Sequence, residues 1–280
     1  METSQQDPAT AMEYCEQLDR VVAQHITSFE ALAVLPGSPI DEADKMLQYR
    51  SYRETVQVPI FSALDHLRLV TKSVPALRGV LPFAHATPLR SAITAASTSL
   101  WAMHDEHETR VLRAAILNYY DYSNGLKYFN GRPADKYPDL DRAKDKVRQR
   151  MDYFAAELAD RGEDVADGRW RPTADFDMVV AAAKMMRPWR DGWKPVTEVP
   201  SRWRWLSGYA HGMRWATAPN TEQSEADENG YSATTMTFGI DSLMESARIV
   251  QTLIETALDR YSELAGHTED PDGKSSAPDR

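Results

Sequence analysis

Pro200-Ser-Arg-Trp-Arg-Trp-Leu-Ser-Gly-Tyr-Ala-His-Gly-Met-Arg-Trp-Ala-Thr-Ala-Pro219 decides how the rest of the chain is read. Leu206, Tyr209, Ala210, Met213 and Ala216 return every three or four positions, the spacing of a helix with one apolar face. Ser201 stands where an N-cap belongs and Pro219 where a helix stops, so the stretch predicts a single helix. On its other side Arg204, Ser207, His211 and Arg214 recur at intervals of three and four, which would place two guanidinium groups, a hydroxyl and an imidazole along one strip.

The same period runs through most of the chain. Met12, Leu18, Val22, Ile26 and Phe29 mark a first helix over residues 8 to 33, broken at Pro36, Gly37 and Pro39. A second helical stretch is expected from about Asp41 to Thr55, and a third opening at Pro59 with Ile60, Leu64, Leu67 and Val70. Thr87 and Pro88 read as the cap and first turn of the next helix. A long helix follows His104-Asp-Glu-His-Glu108, and Gly131-Arg132-Pro133 interrupts it. Residues 139 to 160 interleave opposite charges around Val147, Met151, Phe154 and Leu158, the pattern of a solvated helix with i,i+4 pairs. Thr173 caps a further helix, Tyr231 to Phe238 has the Thr and aromatic content of a short extended segment, and a last helix over about 240 to 264 stops at Gly266.

Glycine is scarce, at 13 residues, and strand-like alternation is nearly absent. The fold class is therefore all-α, an up-and-down helical bundle with additional N-terminal helices. With 280 residues and 42% hydrophobic content the chain can bury a full core. One helical domain is expected over 1–266, followed by a polar, disordered tail at 267–280.

Asp and Glu number 42 against 32 Lys and Arg, a formal charge of -10, which excludes a protein that coats nucleic acid or an anionic membrane over its whole surface. Cys15 is the one cysteine, so no intramolecular disulfide forms and a reducing compartment fits. The opening Met-Glu-Thr-Ser-Gln-Gln-Asp-Pro has neither a basic nor an apolar run, and no segment approaches the roughly 18 uninterrupted apolar residues of a membrane span. A cytoplasmic protein that makes no membrane contact is expected.

Against that acidic background, Lys184, Arg187, Arg190, Lys194, Arg202, Arg204 and Arg214 face only Asp191 and Glu198 in the same stretch. Trp189, Trp193, Trp203, Trp205 and Trp215 lie among them. Basic groups interleaved with rings suit a bound phosphate and a stacked base. They equally suit a core of tryptophans whose arginines pair with the acidic loop at 222 to 228. His211 can move a proton near neutral pH, and Arg204, seven positions earlier, can hold a phosphate oxygen; a packed histidine bonded to a carboxylate gives the same pattern. His104 and His107 lie one helical turn apart, but zinc needs three or four ligands and the acidic neighbours suit a helix start better, so no metal site and no cofactor is assigned. Asp65-His66 is a second candidate, in which Asp65 could orient a histidine or pair with Arg90, and an ordinary surface pair reads the same way. No Gly-rich phosphate loop, Gly-x-Ser-x-Gly or His-Glu-x-x-His occurs, so the common nucleotide-binding, hydrolase and metalloprotease classes lack their signatures.

Several short stretches, taken in order, resemble a loose group of uncharacterised bacterial helical proteins similar to the HEPN superfamily. They are Ala63-Leu-Asp-His-Leu67, Pro88-Leu-Arg-Ser-Ala92 leading to Leu100-Trp101, Arg110-Val-Leu-Arg113, and Trp205-Leu-Ser207 with Tyr209-Ala-His-Gly212. They span about 60 to 216, and the final helix would complete a core of about 60–266. Arg204, six intervening residues and His211 match the superfamily's arginine-to-histidine spacing. The resemblance implies a metal-independent endoribonuclease with a toxin or defence role, whose site forms between two copies of the chain. Arg204 and His211 would be catalytic, Arg202, Ser207, Arg214 and Trp205 would contact substrate, and RNA, a homodimer mate and an antitoxin or other protein would be the partners. The alternatives are a non-catalytic binding or regulatory module using the same face for a protein or nucleotide, and a structural pair bonded within the core.

Overall fold

A computed structural model of the chain describes residues 8–133, 136–167, 170–225, 228–229, 232, 234–236 and 239–267. The expected tail from 268 onward lies outside the described residues, as do 226, 227 and 230 of the acidic loop. The fold is all-α: α1 (Pro8–Ala31), α2 (Pro39–Lys45), α3 (Tyr52–Leu77), α4 (Pro82–Ala102), α5 (His107–Asn130), α6 (Leu140–Ala159), α7 (Asp175–Ala183), α8 (Pro195–Ala210), α9 (Arg214–Thr217) and α10 (Ile240–Leu264). Among the described residues a 3-10 turn (Ala218–Asn220) leads into a short antiparallel pairing of β1 (Thr221–Gln223) with β2 (Thr234–Met236), the latter inside the expected extended segment. No helix among the described residues is long and apolar enough to cross a membrane.

Prolines account for most boundary differences. The stretch expected over Asp41 to Thr55 is two pieces, since α2 ends at Lys45 and α3 has already begun at Tyr52. Pro59 therefore lies inside α3, and Pro88 lies inside α4 rather than opening it. Thr87 is no N-cap, because its hydroxyl donates back to the Phe83 carbonyl at 3.0 Å. An interior proline costs about 3 kcal/mol and loses one backbone hydrogen bond. In α3 the turns before Pro59 are held by tertiary contact: Tyr52 and Val56 are fully buried, and Thr55 donates to the Asn118 side chain at 3.2 Å.

Contacts group the chain into two compact units, each gathered from three separate stretches. The first comprises the described residues to Leu32, then Pro59–Leu100 and Asp175–Leu258. In it Asp19 on α1 pairs with Lys72 on α3 at 2.7 Å, His25 on α1 lies 3.5 Å from Glu255 on α10, and Phe29 meets Phe61 at 5.0 Å between ring centres.

The second unit holds Ala33–Val58, Trp101–Ala174 and the chain from Asp259. Here α5 and α6 run antiparallel, with Tyr122 stacked on the buried Phe154 at 5.8 Å. The last carbonyls of α4 and the turn after it are satisfied by side chains from elsewhere in this unit. Arg113 donates to the Trp101 oxygen at 2.5 Å, the Tyr52 hydroxyl to that of Ala102 at 3.1 Å, and Arg260 to that of Met103 at 3.2 Å. Arg110, nearly fully buried, donates to the oxygens of His104 and Asp105 at 2.9 and 2.6 Å. Burial pushes the Tyr52 hydroxyl well above its ordinary range and lowers both Arg110 and Arg113.

In the first unit the start of α4 is set by a histidine. The Leu81 N–H donates to His85 Nδ1 at 2.9 Å, which assigns the ring proton to Nε2, 3.0 Å from the Ser73 hydroxyl. Ser73 in turn donates to the Val70 carbonyl at 3.3 Å. Protonating Nδ1 would destroy the Leu81 bond, and burial lowers the His85 pKa. The unfolded chain then binds the proton first, so stability falls as pH drops below about 6.5 towards the depressed folded value, by at most about 1.4 kcal/mol per pH unit. Urea denaturation between pH 7.5 and 5 should show a component of that slope which His85→Asn removes.

Candidate functional site

The chain around Arg204 and His211 is not one helix. α8 begins at Pro195, ahead of the expected Ser201, with proline in the first position that needs no N–H. It ends at Ala210, and His211 is its C-cap with φ -102° and ψ 7°. Gly212 adopts φ 62°, and the chain closes through Met213 N–H to the Gly208 carbonyl at 2.7 Å and Gly212 N–H to that of Tyr209 at 2.9 Å. This Schellman closure needs the left-handed conformation that glycine adopts most easily. The Gly212 signal was present in the sequence, but the apolar period continuing through Met213 and Ala216 masked it.

The reversal lays α9 back on α8 at a second glycine. A Cβ on Gly208 would stand 2.4 Å from the Ala216 Cβ and 2.8 Å from the Trp215 ring. Ala216 is buried there, whereas Trp215 remains 60% exposed.

Helical geometry through Ala210 still fixes the position of the His211 Cα. Arg204 and His211 therefore stay on one side of α8, about 10 Å apart along its axis. Both side chains are exposed, and among the described residues neither forms an ion pair or hydrogen bond. Arg214, exposed at the start of α9, no longer belongs to the strip.

Arg204 is stacked, with its guanidinium carbon 3.9 Å from the centre of the Phe176 ring on α7. Phe176 in turn meets Trp203 at 5.9 Å, and Arg90 lies 5.2 Å over Trp203. Trp203 donates through Nε1 to the Thr94 hydroxyl at 2.8 Å. Two cations and two rings thus form one layer on α4, α7 and α8, with the Arg204 donors left for an external acceptor.

The other expected contacts are engaged internally. Ser207 accepts from Arg90 Nε at 2.8 Å, and Arg90 also lies 4.0 Å from Asp175, not beside Asp65 as the sequence suggested. Arg202 pairs with Glu245 on α10 and lies 5.0 Å over the Trp205 ring. Arg190 reaches the same carboxylate at 3.5 Å. Trp205 packs edge-on to the buried Tyr209 at 4.8 Å. The arginines expected against the acidic loop thus meet Glu245, a residue with no distinguishing sequence signal. Phe176 was legible only as an apolar helix position.

Trp189 and Trp193 stack at 3.7 Å between ring centres in the segment leading into α8. Lys184, Arg187 and Lys194 are exposed along that segment, and no ion pair involves them among the described residues. Exposed cations therefore recur along this segment and α8, although Trp193 is buried and its stack with Trp189 belongs to the packing of the segment. Among the described residues no group of three or more His, Cys, Asp or Glu is arranged to hold a metal ion. Comparison of the chain with protein-family models, with curated proteins and with solved structures finds no match.

Two substitutions separate packing from binding on α8. Gly208→Ala should destabilise the protein by about 1–3 kcal/mol, read from urea denaturation, because α9 cannot keep its seat. Ser207→Ala should cost about 1 kcal/mol through the lost Arg90 bond and leave anion binding unchanged, since its hydroxyl faces inward to Arg90.

Proposed function

We propose that the α8 face binds RNA and that the chain is a HEPN-like, metal-independent endoribonuclease with a toxin or defence role, working as a homodimer. The observation that carries this reading is the exposure of Arg204 and His211 on one side of α8 with no internal hydrogen-bonding partner among the described residues. A structural pair would have its polar atoms satisfied inside the protein.

The chemistry follows from the two groups. A guanidinium held flat against Phe176 presents a fork of donors to the non-bridging phosphate oxygens, where charge accumulates as the 2′-oxygen attacks phosphorus. The attack forms a 2′,3′-cyclic phosphate and expels the 5′-oxygen. One proton leaves the 2′-hydroxyl and one reaches the departing oxygen. A single imidazole serves one of these transfers at a time, so the His211 of a second copy would serve the other.

The engagement of Arg202 and Ser207 within the protein favours a second reading, a binding module without turnover. Arg204 then holds a phosphate or an acidic partner, and His211 is a bystander.

Purified protein should cleave RNA in the presence of EDTA, and His211→Ala should slow cleavage by about 100-fold or more without shifting the melting curve. Wild-type protein that binds RNA but leaves diverse RNAs intact would establish the binding module instead. In either case Arg204→Ala should weaken RNA binding.

A further inference from the structure

The second unit carries a cavity of about 280 Å³ where α5 turns into α6. Its floor is apolar, formed by Phe129, Leu140 and Ala143, and two charged side chains of opposite sign, Arg132 and Asp139, line it. The Arg132 guanidinium lies 4.2 Å from the Tyr128 ring centre and 5.4 Å from that of Tyr137, and it donates to both phenol oxygens. Those contacts fix its plane and use two of its five N–H donors. Asp139 is the N-cap of α6, yet its carboxylate makes no capping hydrogen bond. Among the described residues neither group forms an ion pair with the other or with anything else.

We propose that this cavity binds a free α-amino acid with a large apolar side chain. Its carboxylate lies on Arg132, its ammonium group on Asp139 and its side chain against Phe129, Leu140 and Ala143. Unpaired charges of opposite sign beside an apolar floor match a zwitterion with an apolar body. An enclosed space of about 150 Å³ holds one benzene ring, so this volume suits a phenylalanine or leucine better than a smaller residue. A nucleobase fits less well, because Arg132 already covers the Tyr128 face on which a base would stack. None of its residues belongs to α8, and the proposal does not depend on the RNA reading.

Isothermal titration of the full chain with L-phenylalanine, 3-phenylpropionate, 2-phenylethylamine and GMP tests the assignment. L-phenylalanine should bind saturably at millimolar concentration or below, with the two analogues at least about tenfold weaker, since each lacks one charge-assisted contact. Asp139→Asn should weaken L-phenylalanine by about tenfold while leaving 3-phenylpropionate unchanged, and since the carboxylate makes no capping hydrogen bond the exchange leaves α6 folded. Arg132→Gln should weaken both. Absence of saturable binding by L-phenylalanine and L-leucine, equal affinity for 3-phenylpropionate, indifference to Asp139→Asn, or preferential binding of GMP would each overturn the proposal.

Discussion

The bond from the Met213 N–H to the Gly208 carbonyl ends α8 and turns the chain back on itself, and the rest of the candidate site is arranged around that reversal. It requires glycine twice, for different reasons. Gly212 supplies a backbone angle that a side chain disfavours, and Gly208 supplies the space in which Ala216 and the Trp215 ring settle. With the reversal in place, His211 becomes the last group on the α8 path and stands in solvent. Continued as a helix, the same residues would have carried Arg214 along the strip and Ala216 along its apolar face.

The arginines of this region divide by the partners they find. Arg90 and Arg202 are bound to Ser207 and Glu245, so their charge fastens α4 and α10 to α8. Arg204 has a ring beneath it and no acceptor among the described residues, which leaves it oriented and uncompensated. An exposed guanidinium gains little from an ion pair in water, but one whose plane is already set loses less entropy when an anion arrives. Density of positive charge along the sequence did not distinguish these cases, because it cannot report where a single Glu245 lies in space.

Helical periodicity made the all-α class legible, and the long helices α1, α5, α6 and α10 were readable to within a few residues. Prolines misled, since Pro59 and Pro88 look like helix openings but lie inside helices whose first turns are held by long-range contact. The grouping into two units drawn from interleaved stretches was invisible, because it depends on which helices meet and not on any local pattern. Arg204 and His211 were legible as a pair from spacing alone. The stacking of Arg204 on Phe176 and the capture of Ser207 by Arg90 were not, because both partners lie more than twenty residues away in the chain.

The end of α4 shows how a cation can be buried without a carboxylate. Arg113 is answered by a main-chain oxygen at the negative pole of α4 and Arg110 by two in the turn that follows, and among the described residues no acidic side chain within ion-pair range takes part. Main-chain oxygens do not ionise, so none of the acceptors that hold Arg110 and Arg113 changes its charge with the medium. Exchanging the side chain of Trp101, His104 or Asp105 therefore removes none of these acceptors, and the anchorage of both cations answers to the path of the backbone.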